Sequence, residues 1–323
     1  MSISIKEVKT KKELKKFIRF QYSLYKGNPY WCPPIRMGEM DTLKWGSPSF
    51  DYCDAKYFLA YKENKIVGRV AAIVHKKSNE IWNEKRIRFG WIDFIDDIEV
   101  TKALIKAVED WGKELGLHEI HGPLGFTDMD NEGMLIKGFE ELSNVFSIYN
   151  YPYYVEHMEK LGFRKDVDWL QNEFTVPKQI PEKMEKMAKM VEERYGFKLL
   201  EAKSKKDLLK YANKLFYTLN DAFKNLYGFV PLTDRQIKSY VDQYFGFIDK
   251  RFVKMVIDDK DNVIGFGVSA PSLTKALQKS NGRLFPFGWW HLLKAFKQRE
   301  TIDMYINGVL PEYQGKGVVA LYY

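Results

Sequence analysis

Hydrophobic positions change their spacing along the first part of the chain, from helical to strand-like and back. Thr10 is a candidate N-cap, and apolar residues recur at helical spacing after it over 11–25. From Lys56 onward, short apolar runs separated by turns indicate strands. The elements predicted next are, in order, strands at 56–61, 65–74 and 87–95, a helix at 99–116, a strand at 117–124, a long loop with a short helix at 125–142, a helix at 153–163 and a strand at 169–176. This succession predicts a mixed α/β fold.

The remainder of the chain repeats the scheme after a helical connector. Pro177 and Pro181 interrupt the strand pattern, and methionines at helical spacing follow them, a spacing typical of packing. The elements predicted after the connector are a strand at 197–202, a helix at 205–223 and a strand pair at 251–259 and 263–270. The predicted organisation is a first domain at 1–177, a connecting helix at 178–196 and a second domain at 197–323.

Two hairpins indicate that the halves are diverged copies of one fold. Residues 57–71 and 254–268 each contain a strand, an Asn-containing turn, an aliphatic pair and a glycine, which is Gly68 in the first and Gly265 in the second. The order of helices before and after the hairpins also repeats, so an internal duplication is expected.

Composition narrows the class of protein. Of 323 residues, 45% are hydrophobic and 15% aromatic, which excludes general disorder. No apolar run approaches the ~18 residues of a membrane span, and the lysine-rich start lacks a secretory signal, so a cytoplasmic location is expected. The net charge of +8 suits an anionic ligand such as a phosphate, but it suits a nucleic acid or an anionic membrane surface equally, so charge alone does not choose between them. Cys32 and Cys53 are predicted to be reduced thiols, and the histidine spacing predicts no metal site.

The segment 301–323 carries the clearest chemical signal. Apolar and polar residues alternate over 302–307, which predicts a strand with one apolar and one polar face. Pro311 ends this strand, and a glycine-rich stretch then leads into a predicted helix. A strand, a glycine loop and a helix start together present backbone N–H groups to an anion, and glycines let a phosphate approach the backbone closely. The segment therefore predicts an anion site.

The sequence V-x-P-E-Y-Q-G-K-G at 309–317 resembles motif A of the GNAT superfamily of N-acyltransferases. The resemblance implies a loop that binds the pyrophosphate of coenzyme A and a strand edge that pairs with pantetheine. Carried over to this chain, the pyrophosphate residues are Gln314, Gly315, Lys316, Gly317, Val318 and Val319, and the pantetheine residues are Val309 and Leu310. Val319 departs from the family, which prefers Gly or Ala there.

The first half resembles the same superfamily in its fold but lacks the loop. YYVEHMEKLGF at 153–163 is similar to a late GNAT helix, whereas 94–104 has no glycine loop and carries acidic residues that would repel phosphate. The fold class expected from the resemblance is therefore two tandem GNAT-like α/β folds, with the first a degenerate copy. The second is expected to be truncated at its C-terminus, so that the residue acting as catalytic acid cannot be named.

The resemblance implies an acyl-CoA N-acyltransferase that uses acyl-CoA or acetyl-CoA as co-substrate and a primary amine as acceptor. Counting back from Val309 places Asp303 where the family often has its general base, acting directly or through water. A solvated aspartate at a strand end is the alternative interpretation. Tyr305, predicted on the same face, is a candidate for positioning the amine.

The segment 282–297 is rich in aromatic and basic residues. It suits an interfacial helix at the inner face of a membrane or an acyl-chain pocket, and it also suits a helix packed between the two halves. The lipid interpretation implies a long acyl chain or a lipidic amine such as a sphingoid-type base.

The acidic loop 125–133 is partly like a calcium loop, but Phe139 at its twelfth position excludes an EF-hand. Carboxylates facing an amine remain an alternative for that loop.

Two further interpretations stay open. A transferase similar to the Fem peptidyltransferases would use aminoacyl-tRNA, although the Q-G-K-G loop argues against this and against a nucleic-acid partner. An inactive binding module that recruits a partner or a membrane surface is the other interpretation. The sequence does not predict an oligomeric state.

Overall fold

A computed structural model describes residues 2–244 and 249–322 of the chain. Its contacts group the chain into two compact units. The first unit comprises residues up to Trp169 together with Ser272–Gln298, and the second unit comprises Leu170–Pro271 and the residues from Arg299 onward. The segment 272–298 is thus part of the first unit, and the predicted limits at 177 and 196 stay a prediction.

The described residues form two sheets. The first unit has the strand order β1-β2-β3-β4-β5, antiparallel except for the parallel pair β4 and β5. The second unit has the order β6-β7-β8-β9, antiparallel throughout. The strands are β1 Ser4–Glu7, β2 Cys53–Lys62, β3 Lys65–His75, β4 Arg86–Phe94, β5 Glu119–His121, β6 Lys198–Leu199, β7 Val253–Ile257, β8 Val263–Pro271 and β9 Ile302–Val309. The predicted mixed α/β fold in two tandem units is confirmed.

The helices cover these sheets. They are α1 Lys11–Leu24, α2 Arg36–Leu43, α3 Lys76–Ile81, α4 Ile98–Glu114, α5 Tyr153–Lys160, α6 Glu182–Tyr195, α7 Lys205–Phe223, α8 Asp234–Tyr244, α9 Thr274–Ser280 and α10 Gly288–Ala295. Short 3-10 turns occur at Pro48–Asp51, Lys250–Phe252, Pro311–Tyr313 and Val318–Leu321. No helix of the described ranges is long and apolar enough to cross a membrane.

Local capping explains why α1 and α7 begin where they do. The Thr10 hydroxyl accepts a hydrogen bond from the Glu13 N–H, and the Glu13 carboxylate accepts one from the Thr10 N–H. Ser204 and Asp207 make the same reciprocal pair at α7. Such capping boxes satisfy backbone N–H groups that have no partner inside the helix, and each cap stabilises its helix by about 1 kcal/mol.

The first unit buries apolar side chains on both faces of its sheet. α4 packs Val100, Leu104 and Val108 against one face, in a cluster that also contains Phe94. α1 packs Phe17 and other side chains against the opposite face. In the second unit, one buried cluster consists of Val191, Phe197, Val256, Ile264 and Val318, and α7 and β8 also bury apolar side chains, among them Leu215, Leu219 and Phe266.

The two hairpin glycines occupy matching positions in the two units. A Cβ added to Gly68 would lie 2.8 Å from Leu104 of α4, and one added to Gly265 would lie 2.8 Å from Val318. In each unit, the segment that follows the last antiparallel strand therefore crosses directly over a glycine of the neighbouring strand. This shared plan agrees with the predicted duplication.

Several predicted elements are wrong. Residues 125–142 contain no helix, because the Asp130 side chain accepts hydrogen bonds from the N–H groups of Phe126 and Thr127 and holds a loop instead. The stretch 169–176 is not a strand, because no described strand pairs with it and its apolar residues are largely exposed. Strand β1 and helices α2, α3, α8 and α9 were not predicted.

Candidate functional site

The candidate site lies at the end of β9, which is the edge strand of the second sheet among the described residues. The Leu310 N–H donates to the Ile264 carbonyl at 3.0 Å, and the Leu310 carbonyl accepts from the Tyr313 N–H at 2.9 Å. Successive residues of an antiparallel pair direct their backbone groups alternately toward and away from the partner strand. Val309 therefore directs its backbone groups away from β8, whereas those of Leu310 are already engaged. The Gln314 side chain donates to the Val309 carbonyl at 3.1 Å, so the Val309 N–H is the backbone group of these two residues that is best placed to meet pantetheine.

The predicted pyrophosphate loop follows a 3-10 turn and is shaped by two glycines. Gly315 has φ +75° and Gly317 has φ +77°, in the left-handed region that favours glycine. The Lys316 N–H donates to the Tyr313 carbonyl at 3.3 Å, and the Ala320 N–H donates to the Gly317 carbonyl at 2.9 Å. The predicted helix after the loop is a single 3-10 turn, Val318–Leu321, within the described residues.

Several backbone N–H groups of this loop have no hydrogen-bond acceptor within residues 2–244 and 249–322. They belong to Gly315, Gly317, Val318 and Val319. Backbone N–H groups on one loop can together donate hydrogen bonds to an anion such as a phosphate. The Lys316 ammonium lies on the same loop, 5.0 Å from the centre of the Tyr313 ring, and adds a positive charge.

The loop is fixed to the second unit on one side and open on the other. Val318 is buried in the core, and a Cβ added to Gly317 would lie 2.8 Å from the Val191 side chain of α6. A Cβ added to Gly315 would meet no atom within 4 Å, and Gln314 and Val319 are exposed. The Gln314 amide donates to the Val309 carbonyl at 3.1 Å and so links the loop back to the strand.

Asp303 is buried, with 8% of its surface exposed, whereas its neighbour Met304 is 44% exposed. The predicted polar and apolar faces are therefore wrong at the start of β9. The reason is a bulge: Ile306 pairs with Val268 and Met304 pairs with Ser269, which leaves Tyr305 as an extra residue. A bulge reverses the alternation of side chains on one side of it. Asp303 thus reaches the protected face, and Tyr305, partly buried, marks the change of register.

The first unit lacks a comparable loop at the matching position. Only three residues, 95–97, connect β4 to α4, compared with eight, 310–317, between β9 and the final 3-10 turn. The Asp97 carboxylate accepts a hydrogen bond from the Glu99 N–H and lies 2.8 Å from the Lys62 ammonium. The hydrogen bond from Lys62 lowers the pKa of Asp97. The negatively charged Asp97 carboxylate therefore already lies at the N-terminus of α4, which fits the prediction that the first half does not bind coenzyme A.

Sequence reasoning gave little weight to the environment of the acidic loop. Burial raises the pKa of Asp128 to about 6, that of Asp130 to about 7 and that of Glu132 to about 8. The buried Arg88 guanidinium opposes these shifts at Asp128 and Glu132. Among the described residues, no group of three or more His, Cys, Asp and Glu side chains is placed to hold a metal ion. Nothing in the spacing of these acids along the sequence reveals their burial.

Wild-type protein is expected to lose folding stability as the pH rises from 5 to 8.5, and Glu132→Gln is expected to lose less. The Glu132 pKa is about 8 in the folded chain and near 4.5 when the carboxyl is solvated, so unfolding releases a proton between these values. The contribution of Glu132 to the folding stability is therefore fully present below pH 4.5, and it is lost as the pH rises through 8. Thermal unfolding should show the variant gaining a few degrees relative to wild type at pH 8.5. Glu140→Gln, at an exposed neighbouring position, should leave the pH dependence unchanged; an equal effect of both variants would contradict this account.

Comparison with known proteins places the chain in a family. No model of a known protein family matches it. It is 30% identical to Protein YghO of Escherichia coli over 94% of this chain and 78% of the relative. It is 29% identical to a protein of Caulobacter vibrioides named bacterial ceramide synthase, over 97% of this chain and 82% of that relative. A solved tandem GNAT protein from the clavulanic acid biosynthesis pathway covers 99% of this chain and 83% of its own, with 10% identity and a TM-score of 0.49. The identity of this chain to Protein YghO, over most of both chains, shows that this protein belongs to the same family as Protein YghO.

Proposed function

We propose that this protein is an N-acyltransferase that moves a long acyl group from coenzyme A to the primary amine of a sphingoid-type base. The observation that carries the proposal is the open glycine loop after β9, with its unpaired N–H groups and Lys316. The relative named bacterial ceramide synthase supports acyltransferase chemistry, because a ceramide is the amide of a fatty acid and a long-chain base. The aromatic character of 282–297 agrees with a lipidic substrate.

Each part of the loop has a separate task in this proposal. The N–H groups of Gly315, Gly317 and Val318 would bind the pyrophosphate oxygens, and the Lys316 ammonium would neutralise part of their charge. Val309 would donate its outward N–H to pantetheine, and its carbonyl would be available only if the Gln314 side chain moved away. These contacts would place the thioester beside β9, where the acceptor amine must also arrive.

The transfer needs one proton acceptor and one proton donor. The amine nitrogen attacks the thioester carbonyl, a C–N bond forms, and the C–S bond breaks with loss of the coenzyme A thiolate. Asp303 would take the proton from the amine, directly or through a water molecule. The thiolate must then receive a proton, and the described residues do not identify the group that donates it.

Lys316→Glu is expected to weaken binding of coenzyme A roughly tenfold or more. Reversing this charge replaces an attraction for the pyrophosphate with a repulsion, while Gly315 and Gly317 keep the loop shape. Calorimetric titration with coenzyme A measures the change directly. The matched control is Lys206→Glu, a charge reversal at an exposed position of α7 in the same unit, which should leave affinity unchanged.

The acceptor is tested with the wild-type protein. Release of free thiol from palmitoyl-CoA should require a long-chain base such as sphinganine and should be slower with a short-chain amine. Coenzyme A binding without thiol release from any amine would favour the inactive-module interpretation. Absence of coenzyme A binding together with salt-sensitive binding of tRNA would overturn the proposal in favour of the Fem-like alternative.

A further inference from the structure

The segment 282–297 carries a patch of exposed apolar side chains on the first unit. Phe285 and Phe287 are the most exposed members, at 70% and 71%. The other members are Trp289, Trp290 and Leu293, and these five side chains form the aromatic patch. Soluble proteins seldom leave several large aromatic side chains together in water, so a contiguous patch of this kind marks a binding surface.

The aromatic patch lies on α10 and the loop before it, and both are packed against the first unit. On the opposite side of α10, Gly288 and Leu292 are buried, and Leu292 packs with Leu277 of α9 and Cys32. The backbone N–H of Trp289 donates to the Leu284 carbonyl at 2.8 Å. Gly282 approaches the chain closely, since a Cβ added there would lie 2.1 Å from the Pro34 carbonyl oxygen. α10 therefore has two apolar faces, of which one lies in the core and the other faces outward.

The charged residues of the segment that carries the aromatic patch have a single sign. Residues 272–298 contain five Lys or Arg residues and no Asp or Glu, although the whole chain has 43 acidic residues. Arg283, Lys294 and Lys297 are exposed beside the patch. The Lys294 ammonium lies 3.6 Å from the centre of the Trp290 ring, so an aromatic side chain and a cation are presented together.

We propose that the aromatic patch and its basic rim bind the surface of an anionic phospholipid bilayer. Tryptophan and phenylalanine side chains are stable at the level of the headgroups, where an apolar ring can leave water without entering the hydrocarbon core fully. Lysine and arginine side chains at the rim meet lipid phosphates, and the absence of acidic residues from 272–298 removes local repulsion. The aromatic patch belongs to the first unit and the glycine loop to the second, and this proposal does not depend on the proposed reaction.

Flotation with vesicles tests this surface on the intact chain. Wild-type protein should float with vesicles of phosphatidylcholine and phosphatidylglycerol in a 1:1 ratio and bind pure phosphatidylcholine at least tenfold more weakly, because the basic rim has no anionic partner there. Phe285→Ser with Phe287→Ser should weaken binding to the mixed vesicles roughly tenfold. The matched control combines Leu115→Ser with Ile136→Ser, two exposed apolar positions elsewhere on the first unit, and should bind as wild type.

A second pair of variants separates charge from apolar contact. Lys294→Gln with Lys297→Gln should weaken binding to the mixed vesicles roughly 20-fold and leave binding to pure phosphatidylcholine unchanged. Circular dichroism and the thermal unfolding midpoint verify that all variants are folded. The proposal is overturned if wild type fails to bind the mixed vesicles, or if the two serine pairs lose affinity equally. Concentration-dependent dimers that are abolished by the Phe285 and Phe287 changes, without vesicle binding, would instead assign the patch to a second copy of the chain.

Discussion

Replacing Arg69 with methionine is expected to lower the free energy of unfolding of the first unit by about 3–5 kcal/mol. The Arg69 guanidinium lies 2.7 Å from the Asp93 carboxylate, and both side chains are buried between β3, β4 and α1. Methionine fills a similar volume but removes the charge. The Asp93 carboxylate would then remain buried without its cation, which is the costly outcome for a buried pair.

The Arg69 and Asp93 pair also links several elements of the first unit. The Tyr25 hydroxyl donates to the Asp93 carboxylate at 2.8 Å, and the Tyr154 hydroxyl lies 3.2 Å from the same oxygen. Burial raises the pKa of both tyrosines well above 10, so their hydroxyl groups stay protonated and act as donors. An arginine on β3, the tyrosine that follows α1 and a tyrosine on α5 thus converge on one carboxylate of β4, and loss of the arginine should loosen all of these elements together.

Hydrogen exchange in β3 and β4, followed in urea, measures this loss within the first unit. Adding Asp93→Asn to Arg69→Met should recover part of the stability, because the unpaired buried charge is removed. Lys106→Met breaks an exposed ion pair with Asp110 and should cost less than about 1 kcal/mol. Equal effects of Arg69→Met and Lys106→Met would show that the buried pair contributes no more than a surface pair.

The elements that could be predicted from the sequence are those determined by neighbouring residues. α1 begins at the Thr10 and Glu13 capping box, three residues apart, and its apolar face repeats at helical spacing. The two hairpins likewise combine local turn residues with alternating strands. The glycine loop was located because its chemistry depends on a short, continuous segment.

The features that escaped prediction depend on residues far apart in the chain. The stretch 169–176 has the alternation of a strand, but a strand forms only where a partner offers hydrogen bonds. The burial of Asp303 follows from the way β9 pairs with β8, and no local signal announces the extra residue at Tyr305. The contact between Gly265 and Val318 likewise exists only after the chain has folded. Spacing alone therefore located the candidate base but gave the wrong environment for it.

Asp303→Asn is expected to lower kcat of the proposed transfer by about 100-fold or more while leaving coenzyme A affinity unchanged. This prediction rests on the proposed function. An asparagine has nearly the shape of aspartate but cannot accept the proton of the attacking amine. Because Asp303 lies on the protected face of β9 and the glycine loop lies beyond the other end of the strand, the substitution should affect proton transfer without changing the loop.

The pH dependence distinguishes a base from a residue that only supports β9. In wild type, kcat/KM should fall on the acidic side as the Asp303 carboxylate is protonated, and the variant should lose that limb. Activity of Asp303→Asn should instead rise steadily toward high pH, where more of the acceptor amine is already deprotonated. Asp303→Glu should keep the acidic limb, because a carboxylate remains and reaches one methylene further. If Asp303→Asn keeps at least a third of wild-type kcat with the same pH profile, Asp303 is a structural residue of β9 and another group accepts the proton.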